Sequence, residues 1–147
     1  MICQFWHSTL YDRGEQVTAG KGYIKGDDIA TANKNKYTML NSDYKFGEVH
    51  GIANQIETSE ETVQFKHIFN NDNGGVVLVA FKEGQKLDTH TAPAEVMVNV
   101  LEGEIEFTML DKVNTLRSGE FLLMGADVPH SVKAKSDSKM MLIKIRP

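Results

Sequence analysis

Apolar and polar residues alternate in short runs along most of this chain, with a period near two. The clearest run is Glu104 to Met109, where Ile105, Phe107 and Met109 share one face and Glu104, Glu106 and Thr108 the other. Thr62 to Phe69 alternates too, with Val63, Phe65 and His67 on one side and Gln64, Lys66 and Ile68 on the other. Val76 to Lys82 and Glu95 to Leu101 are β-branched and apolar, the composition of buried strands. Leu87 to Ala92, Val113 to Leu116, Phe121 to Met124, His130 to Lys135 and Lys139 to Arg146 complete the set of predicted strands. Turn residues separate them: Asn70 to Gly75, Gly84, Gly103, Asp111-Lys112, Arg117 to Glu120 and Gly125 to Pro129. Many short strands with turn signals between them predict an all-β sandwich or barrel. Its contacts are non-local, so folding should be slow for the size.

The first 46 residues have a different texture. They are polar, with Gly20, Gly22 and Gly26 close together and a cluster of Asn and Lys from Asn33 to Lys36. Asp27 or Asp28 is placed to cap a short helix through Lys36, since an Asp side chain accepts a backbone N–H at a helix start. The chain therefore divides into an N-terminal arm, 1–46, and a β domain, 47–147. Trp6 and Phe5 would tuck onto the main body, and Met39 offers a second start position whose use removes no identifiable strand. Between His50 and Glu61, Ile52 and Ile56 have the spacing of a single helical turn.

Composition narrows the function classes. The chain has 147 residues, 41% of them hydrophobic, and a formal net charge of -4. That is one domain with one core, and it carries no basic footprint for nucleic acid. Cys3 is the only cysteine, so no internal disulfide forms. No stretch reads as a secretory signal or a membrane span. The expectation is a soluble, cytoplasmic protein. There is no nucleophile elbow, phosphate-cradling glycine loop or Cys/His zinc spacing. Glu102, Glu104, Glu106 and Glu120 read as a solvated hairpin face, and the strand methionines as adaptable core filling.

What chemistry remains lies in two stretches. Gly84 to Gly103 carries His90 in a His-Thr-Ala-Pro segment just ahead of a buried strand, and Gly119 to His130 ends on Pro129-His130. Imidazole suits Zn, Ni, Cu, Fe and Mn to differing degrees, and two imidazoles on rigid strands make a partial metal site. Asp88 shares the face of His90 if that strand is regular. Glu95 reaches inward only if a one-residue bulge follows Pro93. An ordinary half-buried histidine, giving one hydrogen bond and taking another, is the plain structural alternative for each. His67 reads as a core or surface residue, and His50 and His7 as exposed histidines without partners.

Gly84, five residues, His90, one residue, Ala92 and then Gly103 resemble the first motif of the cupin superfamily. Gly119 to His130 resembles the second, and Val100-Leu-Glu-Gly-Glu104 is similar to the hairpin within the first. The resemblance spans roughly Gly47 to Pro147 and implies a double-stranded β-helix, a jelly-roll barrel with a site in its mouth. Cupins with a full metal site supply three histidines and a glutamate. His90 and His130 match the first and last histidines, whereas Ala92 stands at the second and Val96 at the glutamate. Gly125, Asp127 and Ala134 depart from the second motif as well. The implied site is thus His90 and His130, with Asp88 or Glu95 as an added ligand, one divalent ion (Zn, Ni, Fe or Mn), and a cavity lined by Ala92, Val96 and Val98. Two functions follow. One is a binding or sensing protein for a small molecule with an apolar body. The other is a metal-dependent dioxygenase, isomerase or hydrolase using His90, His130 and one carboxylate. The resemblance also implies a homodimer, with the strand from Lys139 to Arg146 or the arm before Phe46 covering an exposed sheet edge.

Overall fold

The computed structural model describes residues 41–146. Within that span a single-turn 3-10 helix, Ile52–Gln55, precedes nine strands. They are β1 (Gln64–Asn71), β2 (Gly74–Phe81), β3 (Lys86–His90), β4 (Glu95–Glu102), β5 (Glu104–Met109), β6 (Lys112–Arg117), β7 (Phe121–Met124), β8 (His130–Ala134) and β9 (Ser138–Ile145). All pair antiparallel in two sheets, ordered β1-β2-β9-β4-β7 and β3-β8-β5-β6. The expected helix near 27–36, Cys3, Phe5, Trp6, His7 and Met39 lie outside the described residues.

Alternation decides what the two sheets enclose. Val77, Val79 and Phe81 of β2, Val96, Val98 and Val100 of β4, and Met140 of β9 pack inward. Ile105 and Phe107 of β5, Leu116 of β6, and Val132 and Ala134 of β8 meet them from the smaller sheet. At about 25 cal/mol per Å2 of apolar surface, burial of this kind is the main term holding such sheets together. The other face of β2 is not left bare, because Leu78 and Ala80 pack with Ile56, Ile68, Leu101 and Met141. Ile56 is brought there by the 3-10 turn before it, so the apolar pair at 52 and 56 has a packing role, though Ile52 remains 36% exposed. Phe65, on the inward-facing side of β1, is 56% exposed. Among the described strands β1 is the edge of the larger sheet.

Two sequence expectations are corrected here. β9 does not cover an edge; it sits in the middle of the larger sheet, bonded to β2 on one side and β4 on the other. Residues 41–42 do line an edge, since Asn41 bridges Asn70 in both directions and Ser42 Oγ donates to Ile68 O at 2.6 Å. The β5–β6 turn is centred on Leu110 and Asp111, not on Asp111-Lys112. Both residues have positive φ, 50° and 60°, the backbone of a two-residue turn that matches strand twist.

Candidate metal and ligand site

β3 ends on His90 and β8 begins on His130, and the two are cross-strand partners. Their ring centroids are 4.3 Å apart with 55° between planes. The pairing depends on an irregularity. Leu87 pairs with Val132 and His90 with His130, so β3 spends three steps where β8 spends two. The extra residue is a bulge, and it puts His90 on the same side as the core-packed Leu87. Asp88 is thereby turned off the site. Its carboxylate meets Lys86 Nζ at 2.7 Å, with both side chains largely exposed.

Each imidazole is fixed by the backbone two residues upstream. His90 Nδ1 is 2.8 Å from Asp88 O and His130 Nδ1 is 2.8 Å from Val128 O. A carbonyl only accepts, so both Nδ1 atoms carry the proton and both Nε2 atoms keep a free lone pair in the neutral ring. This is the arrangement of a metal-ligating histidine, whose second nitrogen is tied to a carbonyl or carboxylate. His130 is 5% exposed and stacks on Phe107, centroids 5.4 Å apart and planes 8° from parallel. Among the described residues no buried side-chain nitrogen or oxygen lacks a partner, and His130 Nε2 is bonded to no described protein atom. Burial pushes His130 below the ordinary imidazole value; the neighbouring His90 adds to this and the Val128 carbonyl opposes it. The lone pair is therefore kept at neutral pH.

The other predicted positions separate clearly. Glu95 pairs with Ile145 and Val96 with Lys144 without a shift, so no bulge follows Pro93 and Glu95 stays on the outer, exposed face. The irregularity in β4 comes at its far end, between Val100 and Glu102. Val96 and Val98, 3% and 1% exposed, are closed core rather than cavity wall. Ala92 is half-buried at the rim, where its carbonyl accepts from Asp127 N and ties the β3–β4 and β7–β8 loops together. No group of three or more His, Cys, Asp or Glu side chains able to hold a metal is found among the described residues. The donors present fit a two-imidazole site and not a three-ligand one.

Two clefts lie away from the histidines. One, of about 240 Å3, is bounded by Tyr44, Phe46, His50, Ile52, Ile68 and Phe69. His50 is not without partners, since it meets the Tyr44 ring edge-on at 5.0 Å and Glu48 at 3.9 Å. The other, of about 470 Å3, lies between β6 and β7. The hairpin carboxylates are each engaged structurally. Glu104 pairs with Arg117, Glu106 with Lys135 and Glu102 with Lys139, and Glu120 accepts from Arg117 N.

Comparison with known proteins agrees with this fold. The family described as the cupin domain matches residues 77–146, which takes in the histidine pair and the strands from most of β2 to β9. The match supports a small cupin-superfamily protein. Similar cupin-like folds are found in solved structures. A conserved protein of unknown function from Streptococcus pyogenes is 20% identical with a TM-score of 0.69, covering 77% of this chain and 98% of that one. A cupin superfamily protein from Desulfitobacterium hafniense is 22% identical with a TM-score of 0.65, covering 69% and 93%. An RmlC-like cupin from Desulfovibrio desulfuricans is 27% identical with a TM-score of 0.60, covering 67% and 95%. The chain matches none of the curated proteins. Among the described residues no helix is long and apolar enough to cross a membrane. The residue that local sequence reasoning undervalued is Phe107. Alternation places it inward, but only the β5–β8 register sets it under His130.

Proposed function

We propose that this protein binds a small molecule at the barrel mouth, together with a divalent ion held weakly by Nε2 of His90 and His130. The observation that carries the reading is the pair of Nδ1–carbonyl hydrogen bonds, which leave two adjacent imidazoles with their other nitrogens free. When bound, an ion such as Zn, Ni, Fe(II) or Mn would polarise an oxygen or nitrogen of the ligand. The protein's own part is to hold both rings in one tautomer and to keep His130 neutral. With two protein donors the affinity is modest, and water or the ligand completes the ion's shell. The alternative, turnover at a metal held by His90, His130 and a carboxylate, requires Asp88 or Glu95 to leave the positions described above.

Equilibrium dialysis of untagged protein against Zn or Ni, read by elemental mass spectrometry, tests this. About one equivalent is expected on the wild type at saturation, and none above background on a His90→Ala/His130→Ala variant. Equal metal on both proteins sinks the reading.

We also propose that two copies associate. On the outer face of the larger sheet Phe121, Leu123 and Ile145 are 58%, 66% and 60% exposed, and β7 is an edge strand among the described residues. An apolar face at an open edge is where a second copy gains most by covering it. Light scattering at micromolar concentration should give a dimer mass, reduced to monomer by Leu123→Glu. A monomeric wild type removes the proposal.

A further inference from the structure

The inner face of the larger sheet is apolar until its last row. There β9 alternates Met140, Leu142, Lys144, and the first two pack in the barrel core. Lys144 is the next residue on that face, and it pairs with the inward-facing Val96 on one side and with Gly75 on the other. Gly75 has no side chain, and a Cβ there would fall on Phe69 O and Asn70 of β1, so β1 packs closely over that position. Val96 pairs in turn with Met124. Among the described residues of the larger sheet's strands, Lys144 is the one formally charged residue directed inward.

This row is at the same end of the barrel as the histidines. Four residues, 91–94, connect His90 to β4, and five, 125–129, connect Met124 to His130. The two loops are joined by the Asp127 N–Ala92 O bond at 2.8 Å. Lys144 is half-buried and forms no ion pair with a described carboxylate. Asp88 is held by Lys86, and Glu95 is on the opposite face of its strand. A lysine directed into an apolar mouth with no carboxylate of its own leaves its ammonium for an anion brought from outside.

We infer that the mouth takes a small organic carboxylate, with its carboxylate on Lys144 and a second polar group on His90 and His130. This rests on the mouth being the binding site, as proposed above, and names the ligand class. The apolar body of the acid would lie against Ala92, Met109 and Met124, which border the pair and the lysine.

The test uses matched probes, 4-hydroxybenzoate and 4-hydroxybenzamide, with binding followed through the imidazole NMR signals of His90 and His130. The acid should shift both signals and the amide should bind at least about tenfold more weakly, the loss expected for a charge-assisted hydrogen bond. Lys144→Gln should weaken the acid by a similar factor and leave Zn retention intact, and Lys144→Arg should keep acid binding. Acid and amide binding equally, or acid binding unchanged in Lys144→Gln, overturns the inference while leaving the mouth as a site. If neither probe moves the histidine signals and no Zn is retained, the underlying reading fails with it.

Discussion

Phe107→Ala is expected to lower stability by about 3–5 kcal/mol. Phe107 is 1% exposed on β5 and is held between neighbouring strands, pairing with Val132 on β8 and Asn114 on β6. Truncation removes the transfer energy of the ring and leaves a hole that hydrogen-bonded sheets are slow to close. The ring is also the support on which His130 stacks, so the imidazole loses its apolar backing in the same step. Urea unfolding should show a lower midpoint with an unchanged slope, and histidine-dependent metal retention should weaken. A loss below about 1 kcal/mol would mean that the core closes around the gap and that His130 is positioned by the Val128 carbonyl alone.

Gly103→Ala should cost about 2–4 kcal/mol, far more than Gly119→Ala, although both glycines have positive φ, 80° and 85°. The left-handed backbone accounts for about 1–2 kcal/mol at either site. Only Gly103 is also crowded. A Cβ there would fall on Asp137 O and Ser138 Oγ, whereas the position on Gly119 opens into free space. Ser138 is 1% exposed, accepts from Glu104 N at 3.1 Å and donates to Ser136 O at 2.7 Å. Displacing it disturbs the start of β9 and the β4–β5 hairpin together. Equal urea midpoints for the two variants would show that the crowding is relieved at no cost.

The strands were legible because they announce themselves locally. Alternation at Glu104–Met109 and apolar runs at 76–81 and 95–101 need no partner to be read, and they fall where the structure has β5, β2 and β4. The histidine pair was legible for a second reason, a motif resemblance at both ends of the constellation. Register was not legible, since it is a property of two strands at once. The bulge between Leu87 and His90 shows itself only against β8, and it sends Asp88 away from the site that regular alternation would have given it. The same holds for the place of β9, for Lys144 beside Val96 and for His50 on Tyr44. The first two depend on pairing between segments far apart in sequence, and the third on how residues 44–50 turn back on themselves.

The central place of β9 also has a meaning for synthesis. β2 and β4 are neighbours of β9 and not of each other, so both stay unsealed on that side until residues 138–145 leave the ribosome. At about 5–20 residues per second, a nascent chain waits several seconds with Val76–Phe81 and Val96–Val100 made but unpaired there. Such runs are strongly β-prone and low in charge, the kind that other strands recruit. The most vulnerable interval for this barrel is therefore the one between synthesis of β4 and synthesis of β9, and nascent-chain binding factors that shield apolar strands are expected to act then.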